Sequence, residues 1–102
     1  MVETQQMHCK TIHQLDCVYH GEFNKSYQRE GFGILQTLTF DTYAGFWKNN
    51  KAEGRGIIFY QSGVVIYGHF SRNQLDGPTI YDHAFHLKIC FMQGNHKIGL
   101  AF

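Results

Sequence analysis

The 102-residue sequence predicts an all-β fold made of consecutive β-hairpins. Three observations favour this fold class. The chain repeats itself every 23 or 24 residues, short apolar segments alternate with polar turns that contain glycine, and no segment has helical periodicity. Because an isolated hairpin is only marginally stable in water, we expect neighbouring repeats to pack against one another.

A pentapeptide with glycine between two large side chains defines the repeat. YHGEF at 19–23 recurs as YAGFW at 43–47 and as IYGHF at 66–70. A fourth copy keeps an aromatic residue, Phe91, but lacks the glycine. We therefore predict a single repeat domain over 11–102 after an N-terminal tail of residues 1–10. Its repeats are expected at about 19–42, 43–65, 66–86 and 87–102.

The glycines require a physical reason, because glycine weakens a strand. We expect Gly21, Gly45 and Gly68 to leave space in which a neighbouring aromatic ring lies against the backbone. A second set follows each pentapeptide and predicts bulges or close approaches of two chains; it consists of Gly31, Gly33, Gly54, Gly56 and Gly77. Ring area buried on glycine would then replace a conventional core.

The large side chains of the repeat predict two rows across the sheet. One row is Phe23, Trp47, Phe70 and Phe91, and the other is Tyr19, Tyr43, Ile66 and Leu87. Such rows are more often the protein's own packing than an exposed platform for a partner, and both interpretations stay open. Tyrosine is favoured as a contact because its hydroxyl can remain available for a hydrogen bond. The candidate partner-binding residues are Tyr19, Tyr43, Trp47, Phe70, Phe91, Leu100 and Phe102.

The pattern YxGxF followed by GxG at this period resembles the MORN repeat family, well over about residues 19–80 and weakly beyond them. The resemblance implies an elongated, twisted antiparallel sheet used mainly for scaffolding and protein contact. It also implies membership of a larger assembly, such as a ciliary or other cytoskeletal one. Ile66 in place of tyrosine and Thr79 in place of glycine depart from the family pattern.

Charge narrows the classes of partner. The net charge is +1 and no dense run of lysine or arginine occurs, so nucleic acid is not expected as a partner. Basic residues recur in the turns beside acids at 30, 53 and 76, and we interpret this edge as solvated, with the acids bonded to turn N–H groups. Peripheral contact with anionic lipid is the alternative function. The basic edge comprises Lys48, Lys51, Arg55 and Arg72.

Motifs for catalysis and ligand binding are absent from the sequence, so we expect no enzyme activity and no cofactor. Seven histidines invite a metal hypothesis, but none has zinc-site spacing, and His83 and His86 would lie on opposite faces of a single strand. An odd number of cysteines, three, favours thiols over disulfides.

Location and assembly follow from weaker signals. No secretory signal or membrane-spanning segment is evident, which predicts a cytoplasmic protein; a cytoskeletal or ciliary site is implied by the resemblance alone. The apolar segment 98–102 has no evident cover, so we expect it to contact a partner or a second copy of the chain.

Overall fold

The computed structural model describes residues 8–13, 17–84, 86–94 and 96–100. They form one antiparallel sheet of nine strands whose order in the sheet is their order in the chain. No helix occurs among these residues. The molecule is elongated, measuring 47 × 24 × 22 Å, and the predicted fold class is confirmed. The strands β1 to β9 span His8–His13, Cys17–Phe23, Arg29–Thr37, Thr42–Lys48, Lys51–Phe59, Val65–Ser71, Gln74–His83, His86–Gln93 and His96–Leu100.

Tight turns with positive φ join the two strands of the second repeat and those of the third. Asn49 and Asn50 join β4 to β5 with φ of 50° and 71°, and Arg72 and Asn73 join β6 to β7 with the same two values. Two successive residues with positive φ characterise the hairpin turn whose twist matches that of the flanking strands. Asparagine tolerates this conformation better than most residues.

Five glycines lie opposite one another across strands β2 to β6. The register pairs them successively as Gly21, Gly33, Gly45, Gly56 and Gly68. A Cβ atom on Gly45 would lie 2.6 Å from the hydroxyl oxygen of Tyr43, and one on Gly33 would overlap the ring of Tyr19. The expectation that rings lie against glycine is therefore confirmed for the first two repeats.

The first glycine of each GxG or GxT sequence lies near the start of the returning strand and forms a bulge. Gly31, Gly54 and Gly77 have φ of 76°, 102° and 94°, and the strand register shifts within each of these three hairpins. They are the bulge glycines that the sequence predicts. In the first two repeats, the first glycine of the pair forms the bulge and the second leaves room for a tyrosine ring.

The core lies on one face of the sheet, which we call the core face. Five aromatic rings interlock edge to face, with centroid distances of 5.0–5.6 Å. The two predicted rows are thus one ladder over the first three repeats. Its members, in order of contact, are Phe23, Tyr19, Trp47, Tyr43 and Phe70.

The fourth repeat corrects the predicted rows. His83 at the end of β7 pairs with His86 at the start of β8, and the register continues to Thr79 opposite Cys90. Directly opposite residues share a face, so Cys90 is buried beside Thr79, whereas Leu87 and Phe91 are exposed on the other face. The prediction that Leu87 and Phe91 continue the rows is wrong. The two histidines are on adjacent strands and share a face, contrary to expectation.

Two further expectations concern the ends and the cysteines. Strand β1 begins at His8 and pairs with β2, so the proposed boundary at residue 10 falls within a strand. The side chain of Leu100, and all of Phe102, lie outside the described structure. Cys17 and Cys90 are buried thiols, as expected; the side chain of Cys9 is not among those described.

Candidate partner-binding face

The face opposite the core is apolar and open, and we call it the open face. One row of opposed residues crosses seven strands on this face; it consists of His20, Ile34, Ala44, Ile57, Tyr67, Ile80 and Ile89. Beside this row the rings of Phe32 and Phe46 meet edge to face with centroids 5.7 Å apart. Each of these two side chains is nearly half exposed, at 46% and 49%. The open face therefore presents large side chains to a possible partner.

A groove of about 920 Å³ runs along the middle of this face. Backbone atoms of Gly45, Gly56 and Gly68 also line it. Because glycine has no side chain, the floor of the groove at these positions is the backbone of the sheet. Such a concave apolar surface with few polar groups is typical of binding sites. Its side-chain walls are Phe32, Ala44, Phe46, Arg55, Ile57, Tyr67, His69, Pro78, Ile80 and Ile89.

Two basic residues stand in this apolar groove. Arg55 on β5 and His69 on β6 are directly opposite and both are exposed. None of the described residues that line the groove is acidic. The prediction that Arg55 belongs to the turn edge is therefore wrong, because it lies between Gly54 and Gly56, inside the strand and beyond the bulge.

The rest of the basic edge lies at the turns. Lys48 and Lys51 are opposite each other and exposed, on either side of the turn between β4 and β5. Arg72 is exposed in the turn between β6 and β7. A carboxylate oxygen of Glu30 accepts the N–H of Asn49 at 3.3 Å, and one of Glu53 accepts the N–H of Arg72 at 3.0 Å. These bonds confirm our interpretation of the edge acids for Glu30 and Glu53.

Four of the predicted partner contacts are in the core. Tyr19, Tyr43, Trp47 and Phe70 are all less than 10% exposed, so a partner cannot reach them on the folded sheet. Of the described candidates, Phe91 lies on the open face and is 41% exposed. The choice of the first four is thus corrected: their ring area is already buried against glycine and against one another.

The tyrosine hydroxyls are also committed within the fold. Tyr19 donates to the carbonyl oxygen of Glu22 at 2.9 Å, and Tyr43 donates to that of Phe46 at 3.0 Å. Burial raises the pKa of Tyr43 to about 12. The argument for an available hydroxyl therefore does not hold for either side chain.

Sequence reasoning overlooked the open face because it followed the glycines and the large side chains at the ends of each pentapeptide rather than the residues that alternate with them. Phe32 and Ile34 alternate with Gly33, and Phe46 stands between Gly45 and Trp47. Successive side chains of a strand point to opposite faces. Apolar residues at adjacent positions in these strands were the signal that both faces are apolar.

Comparison with known proteins leaves the geometry as the main guide to function. No protein-family model matches the chain, and no curated protein sequence matches it. Within the described ranges, no helix is long and apolar enough to cross a membrane. No group of three or more His, Cys, Asp or Glu side chains comes together among the same residues to hold a metal ion.

Proposed function

We propose that this chain is a MORN-like repeat protein that acts as a non-catalytic adaptor and binds a protein partner on its open face. The observation that carries the proposal is the groove beside Phe32 and Phe46. Contiguous exposed apolar surface of this kind is typical of interaction sites. The repeat period and the packing of tyrosine on glycine support the MORN-like assignment. A role as subunit of a cytoskeletal or ciliary assembly rests on the family resemblance.

The size of the sheet fits this role. The molecule measures 47 × 24 × 22 Å, so a long face has room for the ~800 Å² that each partner buries in an interface of standard size. Aromatic side chains in the centre of an interface commonly supply most of the binding energy. Phe32 and Phe46 hold such a position, since they line the groove and each still has about half of its side chain to bury.

The test is to change the open face without changing the core. In the double variant Phe32→Ser/Phe46→Ser, quantitative crosslinking and affinity purification from the source cells should lose the partner that wild type retains. The matched control is Phe40→Asn, which removes a ring that is 65% exposed in a turn away from the groove and suits the positive φ of 64° there. A partner retained equally by all three proteins would contradict the proposal, provided that their circular dichroism is the same.

Recruitment to a membrane is the second candidate function. The specific observation for it is the exposed pair Lys48 and Lys51 beside the turn that carries Asn49. Glu30 and Glu53 lie at the same edge and reduce its positive potential. The protein-binding role is therefore the better supported of the two.

A further inference from the structure

We propose that the groove selects a peptide segment that combines apolar side chains with a carboxylate, and that Arg55 and His69 bind this carboxylate. The inference rests on the proposed protein-binding function and deepens it, because it states the chemistry of the partner at one point of the open face. An aspartate, a glutamate or a chain terminus can each supply the carboxylate.

The register places the basic pair next to an apolar pair. Arg55 is opposite His69, and Ile57 is opposite Tyr67. Since Ile57 follows Arg55 by two residues on the same strand, both pairs share the open face and lie about 7 Å apart. A peptide with a side chain seated on Ile57 and Tyr67 thus has a carboxylate within reach of the basic pair.

Charge complementarity favours an acidic group over a neutral one. A guanidinium group is always charged and can donate two parallel hydrogen bonds to one carboxylate. The described residues that line the groove include no acid that would compete for it. The acid that precedes Arg55 on β5, Glu53, accepts the N–H of Arg72 at the turn. The groove therefore presents a positive group within an apolar surface.

The same charges argue against a second copy of this chain as the occupant. Two open faces packed together would each contribute the Arg55 guanidinium, and none of the described residues that line either groove is acidic. Juxtaposed like charges disfavour association. A lipid phosphate could also pair with Arg55, so anionic vesicles are included among the probes.

The experiment starts from a displayed library of random 12-residue peptides selected on the wild-type protein. We expect the enriched sequences to combine Leu, Ile, Phe or Trp with Asp or Glu at a constant spacing. The best peptide is then synthesised in two forms, one with the acid and one with the corresponding amide. Wild type should bind the acidic form about tenfold more tightly, as a charge-assisted pair predicts.

Charge reversal provides the decisive comparison. In Arg55→Glu, the preference for the acidic peptide should disappear, and a new selection on this variant should enrich Lys or Arg in place of Asp or Glu. His69→Gln should weaken the binding of the acidic peptide but affect its amide form less. The matched control is Lys88→Glu, which reverses an exposed charge on the core face and should leave both affinities within about twofold of wild type.

The outcomes separate this inference from the function on which it rests. Enriched peptides that lack acids but require Phe32 and Phe46 would overturn the inference and leave the protein-binding role intact. Equal affinity for the acidic and amide peptides would do the same. Selection of no peptide, combined with vesicle binding that is lost in Arg55→Glu, would overturn the inference in favour of a lipid headgroup. Partner retention by Phe32→Ser/Phe46→Ser would overturn the function itself.

Discussion

At the scale of single residues, the third repeat differs from the first two at a pair of positions, Ile66 and Thr79. In the first two repeats, a tyrosine ring lies against the glycine at the position equivalent to Thr79. The third repeat has Ile66 in place of that tyrosine and Thr79 in place of that glycine. Thr79 is fully buried, donates to the carbonyl oxygen of Gly77 at 3.3 Å, and places its hydroxyl beside Gly68. We therefore expect these two departures from the repeat pattern to compensate for each other.

A double-mutant cycle tests this compensation. Ile66→Tyr should destabilise the protein by about 1–3 kcal/mol, because the ring would enter the space that Thr79 fills. Adding Thr79→Gly should restore most of the loss, with a coupling of at least about 1 kcal/mol between the two sites. Urea unfolding followed by fluorescence of Trp47 measures all four proteins. Simple additivity of the two changes would show that the positions are independent.

The glycine row gives a second prediction at this scale. Valine favours strands, yet Gly45→Val should lower the unfolding free energy by about 3 kcal/mol. Its Cβ would lie 2.6 Å from the Cα of Gly56 and 2.7 Å from the carbonyl oxygen of Arg55. The control is Ala44→Val, one residue earlier on the open face, which should be close to neutral. Equal stability of the Gly45 variant and wild type in thermal unfolding would contradict the packing described above.

Burial of Tyr43 makes stability depend on alkaline pH. Its pKa is raised from 10.0 to about 12 in the folded protein, so the unfolded chain loses the proton first. The stability that the neutral, buried Tyr43 side chain contributes is fully present below pH 10 and is lost as the pH rises towards 12. We expect Tyr43→Phe to be less stable at neutral pH by about 1 kcal/mol, because the bond to Phe46 is lost. Above pH 10 the urea midpoint should fall more steeply for wild type; parallel slopes would refute this prediction.

At the scale of elements, the repeat period was sufficient to predict the hairpins but not the bonds between them. The Asn50 side chain accepts the N–H of Arg29 at 3.0 Å, and that of Asn73 accepts the N–H of Ala52 at 2.8 Å. The N–H groups of the same two asparagines donate back to the carbonyls of Arg29 and Ala52. Each turn is therefore tied to the preceding hairpin. Asparagine at the same place in both turns was the available signal.

These ties can be separated from the turn conformation itself. Asn73→Gly keeps access to the positive φ of 71° but removes the side-chain acceptor. It should cost about 1–2 kcal/mol, since the N–H of Ala52 loses its partner in a partly buried site. Asn73→Asp retains an acceptor and should lose less. Equal stability of Asn73→Gly and wild type in urea would show that the hydrogen bond between Asn73 and Ala52 adds nothing to the free energy of unfolding.

The fourth repeat shows the limit of pattern matching at this scale. The final aromatic residue of the pattern aligns with Phe91, but the pairing of His83 with His86 fixes which face each residue of β8 occupies. A shift of one residue exchanges the two faces of a strand. Met92 consequently takes the buried position that the pattern had given to Phe91. The register of β8 against β7, rather than residue type, decided which residue is buried.

At the scale of the whole molecule, the two faces differ in how far the sequence could reveal them. The core face was predictable because its Tyr–Gly contacts recur at the repeat period. The groove was not, since Phe32, Arg55 and Pro78 occupy the same position of three repeats, inside the GxG or GxT pair, but have unrelated side chains that repeat no residue type. Only the register of the complete sheet brings such residues together. The candidate site is therefore a property of the assembled sheet rather than of any one repeat.

At the same scale, the charges along the turn edge bear on the two candidate functions, protein binding and membrane recruitment. Lys48 and Lys51 are the opposed basic residues at the turn edge, and a lysine near an anionic surface contributes only about 1 kcal/mol. The carboxylates of Glu30 and Glu53 at the same edge oppose that contribution.

At physiological salt, wild type should therefore bind anionic vesicles weakly, and Lys48→Glu/Lys51→Glu should change the co-sedimented fraction little. Arg55 is left unchanged in this test because it lies in the groove. Strong binding by wild type that disappears in the double variant would make membrane recruitment the better explanation of the basic edge.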